Sequence, residues 1–284
     1  MELKTTRWQV GTGTGTDASI ATITLSRPHR HNAWTGRMHT EMRHLLQRAE
    51  DDPTIRVVII TADLDGRAFC PGADVEALEG HAERGGYDAG TPPDIATPGY
   101  GTADEFDADF AYLWGMNTIT IAAVNGAAAG VGLALACWCD LRVAVSGAPW
   151  TSAHGKLNLP AEYGLSWILP RLIGHGRAAD LLLSSRRFTT DEAATMGLVT
   201  RLVDFDAAGA ALDLARTLVS TVSPHSLTAT KRQLAADALH DDPGHSVRDA
   251  QSRLDQMMTE ADYREATAAF IEKRPPVWQK PANG

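Results

Sequence analysis

The sequence predicts an α/β fold with a helical C-terminal third. Three observations carry this. Continuous apolar runs at 56–62 and 119–124 have the pattern of strands buried on both faces. Helix-periodic segments alternate with them. After residue 205 the strand pattern stops and four helical segments follow. The chain has 284 residues, 44% of them hydrophobic, enough for a sizeable core.

At the N-terminus, S-I-A-T-I-T-L (19–25) is rich in β-branched residues and ends before Pro28, where a strand must stop. Upstream, G-T-G-T-G-T (11–16) has neither a following helix nor a Lys, so it reads as a hairpin connection and not as a nucleotide loop. Thr35 can cap a helix over 36–51, where Met38, Met42, Leu45, Leu46 and Ala49 recur at helical spacing. R-V-V-I-I-T-A (56–62) follows as a strand. The Gly- and Pro-rich stretch 80–103 reads as a long loop, and 104–116 as a helix. I-T-I-A-A-V (119–124) is a strand, 126–130 a turn of small residues, 131–138 a buried helix and 140–145 a strand. Helices are expected over 206–222, 224–239, 244–259 and 260–272, broken near Pro224 and Pro243. The expected division is a βα core over 1–205 and a helical region over 206–284.

Composition excludes several classes. A net charge of −9 disfavours a nucleic-acid surface, which needs clustered Lys and Arg. No apolar run reaches the roughly 18 residues of a membrane helix. The first ten residues lack a signal peptide's apolar stretch, and three cysteines argue against a disulfide framework, so a cytoplasmic location is expected.

Two turns are candidates for chemistry: R-A-F-C-P-G-A-D (67–74) after one buried strand and N-G-A-A-A-G-V-G (125–132) after the other. Gly72, Gly130 and Gly132 permit close backbone approach. The first N–H groups of a helix lack intrahelical partners. Two such turns side by side can aim two donors at one oxygen, an oxyanion hole. The alternative is two tight turns that merely pack together.

S-R-P-H-R-H-N-A (26–33), F-C-P-G-A-D (69–74), A-A-V-N-G-A-A-A-G-V-G (122–132), C-D-L-R-V-A (139–144), L-P-A-E-Y-G-L-S-W-I-L-P-R-L-I-G (159–174) and F-I-E-K-R-P-P (270–276) occur in the order of one family. The chain resembles the crotonase superfamily, the enoyl-CoA hydratase/isomerase group, from about 26 to 276. The resemblance implies a spiral of ββα units with a C-terminal helical trimerisation region, and a homotrimer or dimer of trimers. It implies an acyl-CoA thioester as substrate, with no separate cofactor, and a lyase or isomerase activity. Matched by position, the amides of Cys70 and Val131 hold the thioester oxygen. The two glutamates of family hydratases fall at Ala134 and His154. Glu162, in L-P-A-E-Y-G, falls where isomerases and some hydratase-like members carry a glutamate, and one such group suits double-bond migration better than water addition. A helix beginning there, over 163–170, gives Glu162 a structural alternative. His154 is the other acid/base candidate, or an ordinary packing histidine.

For CoA, His29 and Arg30 are expected to meet phosphates, and Ala68, Cys70, Pro71, Gly72 and Ala73 to border adenine and pantetheine with Gly130 nearby. Phe270 and Lys273 match nucleotide-contacting positions. Asp74 is expected to cap a helix. The loop at 80–103, with Trp114, is expected to cover the acyl group. Cys137-Trp138-Cys139 lacks the partners for a metal site. Two other readings stay open. Gly126-x-x-x-Gly130-x-Gly132 fits a short-chain dehydrogenase's NAD(P) turn, although no Tyr is followed by Lys four residues later. A catalytically silent acyl-CoA-binding homologue is the other. A serine hydrolase is disfavoured because G-x-S-x-G fails around Ser166.

Overall fold

In the computed structural model, residues 1–12, 15–84 and 104–278 are described. Strands β1 (Thr6–Val10) and β2 (Ile20–Leu25) form an antiparallel hairpin. Then come α1 (Gly36–Asp51), β3 (Val57–Ala62), β4 (Ala68–Cys70) and α2 (Val75–Arg84). After them follow α3 (Tyr112–Gly115), β5 (Ile119–Val124), β6 (Ala127–Ala129) and α4 (Val131–Trp138). Next are β7 (Leu141–Val145), β8 (Pro149–Thr151), α5 (Leu165–Ile173), α6 (His175–Ser184), β9 (Phe188–Thr189), α7 (Thr190–Thr195) and β10 (Arg201–Val203). Helices α8 (Ala207–Thr221), α9 (Pro224–Asp237), α10 (Pro243–Met257) and α11 (Ala261–Glu272) complete the chain.

The strands form two sheets, ordered β1-β2-β3-β5-β7-β10 and β4-β6-β8-β9. Each buried strand of the large sheet is followed by a short strand that crosses to the small one: β3 by β4, β5 by β6, β7 by β8. This is the expected ββα spiral. The strands β3 and β5 are buried on both faces because each face has its own core. Val58, Ile60, Ala122 and Val124 face the space between the sheets and helices α1 and α4. Val57, Ile59 and Ile121 face α8, where Ala207, Ala211, Leu214 and Ala215 meet them. Small residues on α8 let the helix lie close to the sheet.

Buried polar groups tie the ends of this assembly down. The fully buried Glu41 carboxylate accepts from the amides of Lys4, Thr5 and Thr6, from both threonine hydroxyls, and from Arg37 Nε at 2.6 Å. Burial alone would raise its pKa, but these donors outweigh it and bring it down to about 2. Arg142, buried after α4, donates to the carbonyls of Ala136, Cys137, Cys139 and Leu198. A cation at a helix C-terminus is favoured by the dipole. Lys231 of α9, also buried, reaches Asp140 at 2.8 Å and the Thr118 carbonyl at 2.7 Å.

Several expectations change. Residues 127–129 form a strand of the small sheet, not a turn. The expected helix over 104–116 is a 3-10 turn (Asp104–Phe106) and the short α3, separated where Phe110 takes a left-handed φ of 64°. The helix expected from 163 begins at Leu165, because Tyr163 (φ 52°) and Gly164 (φ 70°) are left-handed. Of the expected loop 80–103, residues 80–84 belong to α2, and 85–103 lie outside the described residues. No described helix is long and apolar enough to cross a membrane.

Candidate active site

The turn after β4 and the start of α4 meet. β4 and β6 pair in parallel, with Cys70 opposite Ala128. Beyond β6, Gly130 adopts φ 49°, ψ −117°, and Val131 begins α4. A β-carbon added to Gly132 would lie 2.2 Å from the Cys70 carbonyl oxygen, so only glycine allows the helix to seat there. As the first helical residue, Val131 has an N–H without an intrahelical acceptor. The Gly130 amide donates to Thr151 O of β8 at 3.1 Å, which fixes the entry to the helix. Thus the structure brings Ala68, Cys70, Gly130 and Val131 together. Pro71 is exposed, Gly72 has φ 118°, and Ala73 bridges to Trp34.

Burial pushes the Cys70 thiol up to about 12, so its side chain is no nucleophile near neutrality. Asp74 Oδ1 accepts from the Glu76 amide at 3.0 Å, the expected capping bond, and its other oxygen meets Arg27 at 2.8 Å. Burial would raise the Asp74 carboxyl, but the Arg27 and Glu76 hydrogen bonds hold it below the usual range.

Glu162 is half-buried and lies before α5, outside the helix. Its carbonyl accepts from the Leu165 amide at 3.0 Å, so Glu162 sits at the entry to α5, two residues before the N-cap Gly164. The Tyr163 carbonyl accepts from Trp138 Nε1 at 2.7 Å, which ties the Glu162 segment to the end of α4. Ala134 is fully buried within α4. His154 opens a 3-10 turn beyond β8, 7% exposed, and its Nδ1 is buried without a hydrogen-bond partner among the described residues. Its neighbour Ser152 carries the backbone oxygen that faces Gly130.

His29 and Arg30 are exposed, and Arg30 pairs with Glu76. Phe270 is 87% exposed near the end of α11, and Lys273 caps that helix. The segment after α11 is fastened to α8, through Trp278 Nε1 and the Ser220 carbonyl. Neither Phe270 nor Lys273 is among the residues gathered around Cys70.

Sequence reasoning missed an aromatic cluster beside these turns. Trp34 donates its amide to Gly72 O at 2.9 Å, and its ring lies 5.5 Å from Phe110. Phe110 meets Tyr163 edge-on at 5.1 Å. Trp114, expected near the acyl group, packs against Trp138 and Trp167. These residues are far apart in sequence, so no local pattern announces them.

The Enoyl-CoA hydratase/isomerase family model matches residues 15–281. The chain belongs to this family. Similar proteins include the 1,2-epoxyphenylacetyl-CoA isomerase of Escherichia coli K12, 32% identical over 92% of this chain and 95% of that protein. Another is a probable enoyl-CoA hydratase of Mycobacterium tuberculosis H37Rv, 36% identical over 77% of this chain and 85% of the relative. Among solved structures, a probable enoyl-CoA hydratase/isomerase from Mycobacterium abscessus superposes with a TM-score of 0.81 at 28% identity, covering 96% of this chain and 99% of that one. The crotonase fold and the enzyme family expected from the six motifs are thereby shown. The dehydrogenase reading is not favoured. Its glycines span the strand β6, whereas a pyrophosphate turn needs a direct strand-to-helix connection.

Proposed function

We propose that this enzyme moves a double bond in an enoyl-CoA thioester through an enolate. The carrying observation is the seating of α4 on Cys70, with Gly132 at the contact. In this reading the Cys70 and Val131 amides hold the thioester oxygen, each contributing about 3 kcal/mol to the charged intermediate. Glu162 removes a proton from C2 of a 3-enoyl thioester. The electron pair moves into the carbonyl, and the same carboxyl returns a proton to C4, leaving a 2-enoyl product. The 3,4 double bond becomes the 2,3 double bond and no atom is gained or lost. A single acid/base suits this shuttle, and the buried Ala134 offers no second one. Residues 68–73 border the CoA, with His29 and Arg30 toward its phosphates. Phe270 and Lys273 reach the nucleotide from a neighbouring copy in a trimeric assembly.

A second reading, water addition to a 2-enoyl thioester, is favoured by the buried His154 Nδ1, which has no hydrogen-bond partner among the described residues. There His154 takes the proton of the attacking water and Glu162 protonates C2.

The test is incubation with 3-enoyl- and 2-enoyl-CoA esters, with products separated by chromatography. Shifted double bonds support isomerisation, and 3-hydroxy products support hydration. Glu162→Gln should lower turnover at least roughly 100-fold and leave ester binding intact. Unchanged turnover removes Glu162 from the mechanism.

A further inference from the structure

We propose that Trp138 is the positioning residue for Glu162: its indole N–H holds the turn that presents the carboxyl. This rests on the double-bond shift proposed above, with Glu162 as its acid/base.

Glu162 lies on neither a helix nor a strand, so its place is set by the turn it begins. Residues 162–165 close on themselves, with the Leu165 amide donating to the Glu162 carbonyl at 3.0 Å. Both central residues are left-handed, Tyr163 at φ 52° and Gly164 at φ 70°. Glycine adopts this backbone freely, whereas a tyrosine is disfavoured in it. Such a conformation persists only where the surroundings impose it. The closing bond does not use the Tyr163 carbonyl, which belongs to the peptide between the two left-handed residues. Trp138 Nε1 donates to that oxygen at 2.7 Å. The bond fixes the orientation of the central peptide and so selects the left-handed turn.

The donor itself is aimed. Trp138 is buried, lies parallel to Trp167 at 5.6 Å and 7°, and meets Trp114 edge-on at 5.7 Å and 80°. Buried Arg142 donates to the carbonyls on either side of it, Cys137 at 3.2 Å and Cys139 at 2.7 Å. A β-carbon on Gly164 would lie 2.9 Å from Trp138 Cζ2, so the ring already abuts the turn. An indole has one donor, and this chain does not pair it as a matter of course. The indole nitrogens of Trp8 and Trp150 are buried without a partner among the described residues.

The chemistry makes position matter. Glu162 breaks the C2–H bond of a 3-enoyl thioester, and the electron pair moves into the carbonyl. A proton returned to C2 regenerates the substrate. A proton returned to C4 completes the shift. One carboxyl must therefore reach both carbons, and a relaxed turn leaves it returning the proton to C2 more often.

The experiment follows 3-hexenoyl-CoA in D2O with the full chain, reading 2-hexenoyl product by chromatography and deuterium at C2 of recovered substrate by mass spectrometry. Two variants remove the N–H: Trp138→Phe, and replacement of Trp138 by 3-benzothienylalanine, which keeps the ring shape with sulfur in place of N–H. In both, kcat should fall about 10- to 100-fold, with KM within about twofold, and the ratio of exchange to shift should rise at least about fivefold. The isosteric variant decides the matter if Trp138→Phe fails to fold. Wild-type kcat and ratio in the isosteric variant overturn the role of Trp138. An equal rise of the ratio in Trp167→Phe, which keeps the donor, assigns the effect to ring packing and also overturns it. Either result leaves the Glu162 mechanism standing. Full exchange and shift in Glu162→Gln overturn that mechanism and the role of Trp138 with it.

Discussion

Replacing Gly132 with alanine tests the reaction centre at its tightest contact. The new methyl group would sit 2.2 Å from the Cys70 carbonyl oxygen, 2.7 Å from its β-carbon and 3.0 Å from its carbonyl carbon. Ordinary contact begins at 3.4 Å, so roughly 1.2 Å of movement is needed. Two of the three obstacles are backbone atoms and cannot rotate away. Either β4 or the first turn of α4 must retreat, and the convergence proposed for the Cys70 and Val131 amides is then lost. Misplacement by about 1 Å costs on the order of 100-fold in rate, and complete loss of one donor costs about 100- to 1,000-fold. Overpacking should lower stability by about 1–3 kcal/mol. The assay is kcat/KM on an enoyl-CoA ester, with a thermal melt to verify folding. Gly176→Ala is the control: nothing lies within 4 Å of its β-carbon, and it should leave kcat/KM unchanged. A folded Gly132→Ala enzyme within threefold of wild-type kcat/KM would refute the convergent-amide reasoning.

Three further outcomes are expected. Glu41 has its pKa lowered from 4.5 to about 2 in the folded chain, so its contribution is present above pH 4.5 and disappears as pH falls toward 2. Urea unfolding of Glu41→Gln should show a loss of about 3 kcal/mol at pH 7 that shrinks progressively below pH 4.5. Arg142→Met leaves buried carbonyls at the end of α4 and at Leu198 without their donor and should cost about 3 kcal/mol in the same measurement. Burial holds the thiols of Cys70, Cys137 and Cys139 up at about 12, so a disulfide reagent at pH 8 should label none in the native chain and all three after unfolding.

The buried strands were legible because burial on both faces leaves an unbroken apolar run, and α1 because Thr35 and its apolar stripe mark both start and face. The strands β4, β6, β8 and β9 have two or three residues each, too few for a period to register. Ala127–Ala129 looks like a turn because small residues suit either state, and pairing with β4 and β8 decides it. The split at Phe110 was hidden because its side chain is a plausible helix residue and only the assembled cluster holds its backbone left-handed. At the candidate site, the turns 67–74 and 125–132 could be singled out because each announces itself locally, and the family resemblance then points to Cys70 and Val131 within them. Trp34, Phe110 and Tyr163 could not, because only tertiary folding brings them together. The start of α5 was misplaced by two residues for a related reason. A β-carbon on Gly164 would approach the Trp138 ring at 2.9 Å, so a side chain from α4 shapes that entry.

The bond from the Trp138 indole to the Tyr163 carbonyl has a mechanical consequence. Val131 and Trp138 are the two ends of one short helix, so the amide proposed to hold the thioester oxygen and the segment carrying Glu162, the proposed acid/base, share a single rigid mount. Breathing of the outer helices can displace that mount as a unit and still preserve the spacing that the chemistry uses.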